Sequence, residues 1–303
     1  MTMLSMSLLH QQVHSKFFKA YQLGTDKAKY WENYFEDSLD LIARLPQVCA
    51  TIYRHKYHNS QLIQADHNLD WAGNFGHMLG FPDFQMKECL RAYISIHADH
   101  EGGNISAHSC HLVGSALADP YLSFSAAMNG LAGPLHGLAN QECLKWLLEL
   151  KAHHQGAAPN KQLIEQYVRK TLADGKVVPG YGHAVLRKTD PRFLQLKDFA
   201  DRNIKNDYIC DLARACFETI PGILGTVGKI KNPNPNVDAF SGALLQHYGL
   251  AEHEFYTVVF GVSRSLGCLA NGIWARVFGL PIERPNSIDM AYIERVGEQP
   301  VEK

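Results

Sequence analysis

Apolar residues recur at helical spacing along most of the chain, and this periodicity limits the possible folds more than any other feature. Leu41, Leu45, Val48 and Ile52 fall at i, i+4, i+7 and i+11, one face of a helix that Pro46 kinks or splits. The longest series is Phe255, Val258, Val259, Val262, Leu266, Leu269, Ile273 and Val277. No convincing alternation with a period of two runs over six or more residues. The sequence therefore predicts an all-α protein.

Charge and cysteine content exclude several classes of partner and site. The 303 residues include 29 Lys and Arg against 30 Asp and Glu, a formal net charge of -1. This balance gives no electrostatic attraction to nucleic acid or to anionic membranes, so neither is an expected partner. The seven cysteines are scattered without a C-x-x-C pair, which predicts neither a disulfide framework nor a cysteine-rich zinc site. The charge-free stretch 120–141 is rich in small residues and is typical of a buried helix followed by a tight loop.

Histidine is in excess, and its densest cluster comprises His97, His100, His108 and His111, with Asp99 between the first two. Imidazole and carboxylate are ordinary zinc ligands, so this spacing allows a metal site. The H-E-x-x-H pattern of helical zinc sites is absent. The alternative, which the spacing favours, is a set of core or hydrogen-bonded histidines at helix ends.

A second candidate follows the turn Gly130-Leu-Ala-Gly-Pro134. Pro134 suits the first turn of a helix, which would place His136 near a helix N-terminus. There the helix dipole disfavours imidazolium, so a neutral His136 is able to donate a hydrogen bond to a developing oxyanion. A helix-start histidine bonded only to backbone is the alternative.

A third candidate, His183, follows the Gly-rich turn 178–182 and precedes Arg187, Lys188 and Arg192. Guanidinium groups match carboxylates, and the turn offers backbone N–H donors, so the segment is typical of an anion site. A histidine beside such a site is able to polarise a carbonyl group. A solvated basic helix start is the alternative.

Asp238 precedes a short helical pattern that Gly249 ends. Its local sequence favours a helix N-cap, since aspartate is a preferred residue there. The alternative is a general base, which requires the carboxylate to face a ligand.

Taken together, these segments resemble the citrate synthases of the eukaryotic mitochondrial type. The likeness extends from about the first residue to Ser287. It is carried by I-H-A-D-H-E-G-G-N from Ile96, G-S-A-L-A-D-P-Y-L-S-F from Gly114, N-G-L-A-G-P-L-H-G-L-A-N-Q-E from Asn129, V-V-P-G-Y-G-H-A-V-L-R-K-T-D-P-R from Val177, N-P-N-V-D-A from Asn234 and F-G-V-S-R-S-L-G from Phe260.

The resemblance implies an all-α homodimer that condenses acetyl-CoA with oxaloacetate and hydrolyses citryl-CoA. It implies a large domain of residues 1–137 and 249–303 and a small domain of residues 138–248, which close on substrate. It implies no metal. It also implies no cofactor, since acetyl-CoA is consumed as a substrate. The mitochondrial matrix is the implied location, although no transit peptide is visible in the sequence.

The resemblance also gives roles to individual residues. Asp238 matches the base that removes a methyl proton from acetyl-CoA, His136 the donor to the thioester oxygen, and His183 the residue that polarises the oxaloacetate carbonyl. The implied oxaloacetate and citrate ligands are His100, Arg192, Arg264 and Arg284, of which Arg284 would reach the neighbouring subunit. The implied CoA contacts are Val177, Val178, Gly180, Tyr181, Ala184, Arg187, Lys229, Lys231 and Asn236, together with Lys27, which stands where the family usually has an arginine that helps bind a CoA phosphate.

Other departures from the family pattern concern Phe240 and Met1. Phe240 stands where eukaryotic members usually have histidine, a change not expected to disable an enzyme. Met1 aligns with the interior of a family chain, so we expect the transit peptide and the first helices of the large domain to be missing. Two alternatives remain open: a 2-methylcitrate synthase, which accepts propionyl-CoA, and a non-catalytic truncated paralogue that dimerises with a full-length partner.

Overall fold

The structure is a computed structural model that describes residues 1–154, 157–227 and 230–297. Within these ranges the chain forms helices and no β-strand, so the predicted all-α class is confirmed. The α-helices are α1 (Thr2–Gln11), α2 (Lys16–Gln22), α3 (Tyr30–Tyr57), α4 (Trp71–Leu79), α5 (Phe84–His97), α6 (Ile105–Ser115), α7 (Pro120–Leu131), α8 (Ala139–His153), α9 (Lys161–Ala173), α10 (Pro191–Asn203), α11 (Tyr208–Gly225), α12 (Asp238–His247), α13 (Tyr256–Val277) and α14 (Met290–Gly297).

Helix starts follow the side chains that precede them. Seven helices begin after an Asp or Asn whose side-chain oxygen accepts a hydrogen bond from a backbone N–H of the first turn, which satisfies a donor that otherwise lacks a partner. These capping residues are Asp70, Asp83, Asn104, Asp119, Asn160, Asp190 and Asp207. Pro46 does not split α3, which continues from Tyr30 to Tyr57.

Helix α13 forms the centre of the core. It packs against α3, α5, α6 and α7, and Val258, Val259, Val262 and Leu269 are buried along it. The segment His253–Val277 is long and apolar enough to cross a membrane, but 67% of its most apolar window is buried inside the fold. We therefore interpret α13 as a core helix.

The helices that carry the candidate residues have their ends close together. Helix α5 leads into His100, α6 begins after Asn104, and α13 places Arg264 at the end of α5, where its Nε donates to the His97 carbonyl at 3.0 Å. Helices α10 and α12, which belong to the segment 161–248, both pack on α5. The site is built where these helix ends meet.

Candidate active site

A cavity of about 550 Å³ lies where these helix ends meet, and most of the candidate catalytic and oxaloacetate-binding residues line it. Its walls include the three candidate catalytic residues and three of the four candidate oxaloacetate ligands. They are His136, His183, Asp238, His100, Arg192 and Arg264. Residues separated by more than 160 positions in sequence therefore share one cavity.

His136 lies in the turn before α8 rather than in its first turn. Helix α8 begins at Ala139, so the prediction that Pro134 starts the helix is wrong. The Nε2 atom of His136 accepts from the Ser106 backbone N–H at 3.2 Å and lies 2.9 Å from Ser106 Oγ. Because a backbone N–H only donates, Nε2 is unprotonated, and the proton of neutral His136 is on Nδ1. Burial, with a contribution from Arg264, lowers the pKa of His136 to about 4. Burial and a neighbouring cation keep this imidazole neutral; the helix dipole is not needed.

His183 has the opposite tautomer. Its Nδ1 accepts from the backbone N–H groups of Val185 and Leu186, both at 3.0 Å, so its proton is on Nε2. That Nε2 lies 3.2 Å from Nε2 of His100, which must therefore be the acceptor and carry its own proton on Nδ1. Burial lowers the pKa values of both histidines, and the charge of Arg192 lowers them further. The pair supplies a neutral N–H donor, on His183, inside the cavity.

Arg264 is almost fully buried, and among the described residues it forms no ion pair with a carboxylate. Its NH1 donates to Asn104 Oδ1 at 2.9 Å, and its guanidinium lies over the ring of Phe260, 4.7 Å from the centroid. Phe260 also lies edge-on to His136, with ring centroids 6.0 Å apart. The arginine is held rigidly while its positive charge stays available to an anion.

Arg192 is positioned by a carboxylate that the sequence did not single out. Its NH2 and Nε donate to the two oxygens of Asp190 at 2.7 and 3.1 Å, and both side chains are largely buried. Burial alone would raise the pKa of Asp190, but the hydrogen bonds and charge of Arg192 hold it below its usual range. Asp190 thus fixes the arginine and offsets part of its charge.

Asp238 is the first residue of α12, and Val237 is the N-cap, so the prediction of an aspartate cap is wrong. Instead, the backbone N–H of Asp238 donates a hydrogen bond to Asn236 Oδ1 at 3.0 Å. The carboxylate therefore lines the cavity without a capping role. Burial raises the pKa of Asp238 to about 6, partly offset by Arg192. A carboxylate with this pKa is a stronger base than an exposed one and is still ionised at neutral pH.

Three residues of the site were not among the candidates from sequence. Ser106 holds His136 and Asn104 holds Arg264, while Phe260 lies against both the His136 ring and the Arg264 guanidinium. Ser106 Oγ also donates to Asn104 Oδ1 at 2.8 Å, so His136 and Arg264 belong to one hydrogen-bond network. The only sequence signal for Asn104 is its position as an N-cap after a Gly-Gly pair.

The candidate CoA contacts are only partly brought together. Ala184 and Asn236 line the cavity, and Asn236 Nδ2 donates to the Gly182 carbonyl at 3.0 Å. Arg187 is exposed, and its NH1 donates to the backbone carbonyls of residues 183–186. Val178 is buried, whereas Val177 and Lys231 are exposed. Gly180 and Tyr181 lie in a turn whose backbone pairs with that of residues 235–236. Lys229 lies outside the described residues. The CoA contacts stay predictions.

Arg284 and Lys27 also lie outside this cavity. Arg284 is exposed on the segment that follows α13, and Lys27 lines a different cavity, together with Arg276. Phe240 is fully buried against Phe193, with ring centroids 5.9 Å apart, so it serves the core.

The remaining histidines of the first cluster are structural. His97 is buried and stacked on Tyr93, with centroids 4.0 Å apart, while His108 and His111 face Glu283. Over the described ranges, no group of three or more His, Cys, Asp or Glu side chains is arranged to hold a metal ion. The interpretation as core or hydrogen-bonded histidines fits these positions.

Comparison with known proteins gives one family. The profile of the family described as citrate synthase, C-terminal domain, matches residues 1–286. The mitochondrial citrate synthase of Tetrahymena thermophila is 59% identical over 293 residues, which cover 96% of this chain and 63% of that protein. Mitochondrial citrate synthase 5 of Arabidopsis thaliana is 54% identical over 295 residues, which cover 97% of this chain and 63% of that protein. The chain thus spans less than two thirds of the length of these relatives.

A solved structure shares the fold. The citrate synthase of Pyrobaculum aerophilum superposes with a TM-score of 0.79 and 26% sequence identity, and the match covers 95% of this chain and 70% of that one.

Proposed function

The chain belongs to the citrate synthase family, and from that premise we propose that it condenses acetyl-CoA with oxaloacetate and hydrolyses citryl-CoA to citrate and CoA. One observation carries the proposal: two neutral imidazole N–H donors of opposite tautomer and one carboxylate with a raised pKa line the same cavity. The activity is an acyl transfer in which the acyl group becomes an alkyl group. As the first step of the tricarboxylic acid cycle, it would take place in the mitochondrial matrix, since the curated relatives are named mitochondrial.

In the first step, Asp238 takes a methyl proton from acetyl-CoA, and the electron pair moves onto the thioester oxygen. A thioester methyl group is weakly acidic, so a carboxylate base needs help from a donor at that oxygen. The Nδ1–H of His136 is the available donor, because Nε2 is occupied by Ser106. Such a preorganised donor contributes about 3–4 kcal/mol to transition-state stabilisation in other enzymes.

In the second step, the nucleophilic carbon attacks the carbonyl carbon of oxaloacetate, and negative charge develops on the carbonyl oxygen. The Nε2–H of His183, which contacts His100 in this structure, would turn to that oxygen. Arg264 and Arg192 would bind the two carboxylates of the dianion, with His100 beside them. Water then hydrolyses the thioester of citryl-CoA and releases CoA thiol and citrate.

We propose the two-domain division at residues 138 and 248 as part of this mechanism. The support is that Arg264, His100 and His136 come from one side of the division, while His183 and Asp238 come from the other. Closure of the two parts would bring the donors and the base together and exclude water until condensation is complete.

We also propose that the active unit is a homodimer. Oxaloacetate needs compensation for two negative charges, but Arg192 already shares its charge with Asp190, and Arg284 lies outside the cavity of its own chain. Arg284 of a second copy would add the missing positive charge. The proposed chemistry requires no cofactor besides its substrates. The 2-methylcitrate synthase and non-catalytic alternatives are not proposed, because the curated relatives are named citrate synthases.

The test is oxaloacetate-dependent release of free CoA thiol from acetyl-CoA by the purified chain. We expect Asp238→Ala to abolish the release and Asp174→Ala, a change at the exposed aspartate that follows α9, to leave it unchanged. Absence of thiol release from a folded wild-type protein at any protein concentration would overturn the proposal.

A further inference from the structure

The segment 232–236, with the sequence N-P-N-P-N, lies beside the turn that carries His183 and is hydrogen-bonded to both ends of it. The backbone N–H groups of Gly182 and Asp190 donate to carbonyls of this segment at 3.0 and 3.1 Å. Proline fixes φ and has no N–H group, so the two prolines make the segment stiff and leave its carbonyls as acceptors. The turn itself, residues 183–189, forms no helix and is exposed or half-buried. Hydrogen bonds therefore hold it in place more than apolar packing does.

Asn232 holds the middle of the same turn. Its side chain is only 3% exposed, and its Nδ2 donates to the Leu186 carbonyl at 2.9 Å. Its Oδ1 accepts from both the backbone N–H and Nδ2 of Asn234, each at 3.0 Å, which fixes the orientation of the amide. Arg187 Nη1 also donates to the Leu186 carbonyl, at 2.9 Å, but the Arg187 side chain is exposed. Asn232 is thus the buried one of these two donors.

Leu186 connects Asn232 with the imidazole of His183. Its carbonyl accepts from Asn232, and its backbone N–H is one of the two that donate to Nδ1 of His183. The orientation of the peptide groups of Leu186 therefore decides whether Nδ1 receives a hydrogen bond. While it does, the proton of the neutral ring is on Nε2.

We propose that Asn232 is a positioning residue that keeps His183 in the tautomer with its proton on Nε2. Without the Nδ2 donor, the Leu186 carbonyl loses its buried partner, and the N–H groups of Val185 and Leu186 no longer converge on Nδ1. The ring then takes up the tautomer with its proton on Nδ1, in which Nε2 only accepts hydrogen bonds and does not polarise a carbonyl group. This catalytic consequence rests on the proposed function, whereas the control of the tautomer does not.

The other end of the segment 232–236 holds the base. Asn236 Oδ1 accepts from the backbone N–H of Asp238, and Asn236 Nδ2 donates to the Gly182 carbonyl, both at 3.0 Å. A change at Asn232 should therefore alter the donor on His183 and leave Asp238 in place.

Asn232→Asp is the most selective variant, because a carboxylate keeps the acceptor for Asn234 and removes only the donor to Leu186. Long-range ¹H–¹⁵N correlation spectra of the full chain, labelled in histidine and recorded at pH 7 without substrate, report the tautomer of His183. We expect the ratio of the Nδ1–H to the Nε2–H form to rise about tenfold or more, the usual effect of leaving a buried acceptor unpaired.

Two further variants complete the spectroscopic test. Asn232→Ala removes the donor without adding a charge and should shift the tautomer in the same direction, even if Asn232→Asp fails to fold. Asn203→Asp is the matched control, because Asn203 Nδ2 also donates to a backbone carbonyl, that of Phe199 at 2.8 Å, but lies exposed on α10. We expect this control to keep the wild-type tautomer of His183.

Thiol release separates an effect on His183 from a general structural effect. We expect Asn232→Asp to lower kcat about tenfold or more while the KM for acetyl-CoA and the pH dependence stay unchanged, since Asn236 still holds Asp238. In a His183→Gln background, Asn232→Asp should cause no further loss, because both changes act through the same ring.

A His183 ring that keeps its proton on Nε2 in both Asn232 variants would overturn the proposal. Losses of kcat that multiply in the double variant would overturn it as well, and so would an equal change of tautomer in Asn203→Asp. If the tautomer shifts as expected but the wild-type chain releases no thiol, the positioning role stands and only the proposed enzyme activity fails.

Discussion

The Nε2 atoms of His100 and His183 lie 3.2 Å apart, and only one of them carries a proton. Backbone N–H groups fix which one, because those of Val185 and Leu186 both donate to Nδ1 of His183. The same reasoning places the proton of His136 on Nδ1. The backbone therefore sets the direction in which each imidazole donates before any ligand arrives.

We predict that long-range ¹H–¹⁵N correlation spectra will show opposite tautomers for the two imidazoles. At pH 7 the unprotonated nitrogen should be Nε2 in His136 and Nδ1 in His183, since burial lowers both pKa values and keeps both rings neutral. The variants His136→Gln and His183→Gln assign the resonances. Identical tautomers, or a charged ring at pH 7, would contradict the geometry.

The pH dependence of activity should report Asp238. Burial raises the pKa of this carboxyl to about 6, and a general base acts only when deprotonated. We therefore expect kcat/KM for acetyl-CoA to be constant above pH 7 and to fall towards a slope of one per pH unit below pH 6. His136, with a pKa of about 4, stays neutral over this range. A profile that is flat down to pH 4.5 would show that Asp238 is not the titrating base.

The sequence was sufficient for the fold class and for most of the site. Apolar periodicity predicts α3 and α13 because helices that bury one face repeat every 3.6 residues, and the catalytic residues that line the cavity were all candidates. Asn104, Ser106 and Phe260 were missed because their roles depend on contacts with Arg264 or His136 that span 30 to 160 positions.

The errors at His136 and Asp238 have a common cause. A proline or an aspartate before a helical pattern gives a strong local preference for a helix start, but it does not fix the first residue of the helix. Tertiary contacts move the start of α8 to Ala139 and give the N-cap of α12 to Val237. The placement of Arg284 and Lys27 away from the cavity depends on long-range packing that no local pattern encodes.

Replacing Asp238 by asparagine should stabilise the protein while it removes activity. In the folded protein the carboxyl titrates at about 6 instead of 3.8, so the wild type loses stability as the pH rises from about 4 to about 6. The asparagine side chain has no charge at any of these pH values and avoids that loss. We expect the free energy of unfolding of Asp238→Asn to exceed that of wild type by about 1–3 kcal/mol at pH 8, and by much less at pH 4.

Urea unfolding at the two pH values is the measurement, with Asp174→Asn as the exposed control. If Asp238→Asn raises the free energy of unfolding by the same amount at both pH values, burial of the Asp238 charge does not destabilise the protein.

The buried pair between Asp190 and Arg192 should contribute far more to stability than an exposed pair. The side chain of Asp190 is 1% exposed and that of Arg192 is 13% exposed, whereas in the Asp198–Arg202 pair the two side chains are 59% and 66% exposed. Asp190→Ala leaves a buried guanidinium unpaired and removes the cap of α10, so we expect a loss of about 3–5 kcal/mol.

Asp198→Ala is the matched control, with an expected loss below about 1 kcal/mol. Arg192 holds the pKa of Asp190 below its usual value of 3.8. The stabilisation from this pair is therefore fully present at pH 7, and it is lost only as the pH falls below 3.8 and through the lowered pKa. Equal losses from the two variants in urea unfolding at pH 7 would contradict the burial argument.

Gly180 should be sensitive to substitution, because it has a positive φ and packs directly under the start of α12. Its φ is +80°, and a Cβ atom there would lie 2.8 Å from Cα of Ala239, the residue next to Asp238. Gly175 has a similar φ of +72°, but a Cβ atom would have no neighbour within 4 Å.

Gly175→Ala therefore isolates the backbone strain, about 1–2 kcal/mol, while Gly180→Ala adds a steric clash of about 1–3 kcal/mol. We expect Gly180→Ala to be the less stable variant and to lose thiol release when still folded, since the clash displaces Asp238, whereas folded Gly175→Ala keeps wild-type activity. Equal stability and equal activity of the two variants would show that the contact between Gly180 and Ala239 does not position the base.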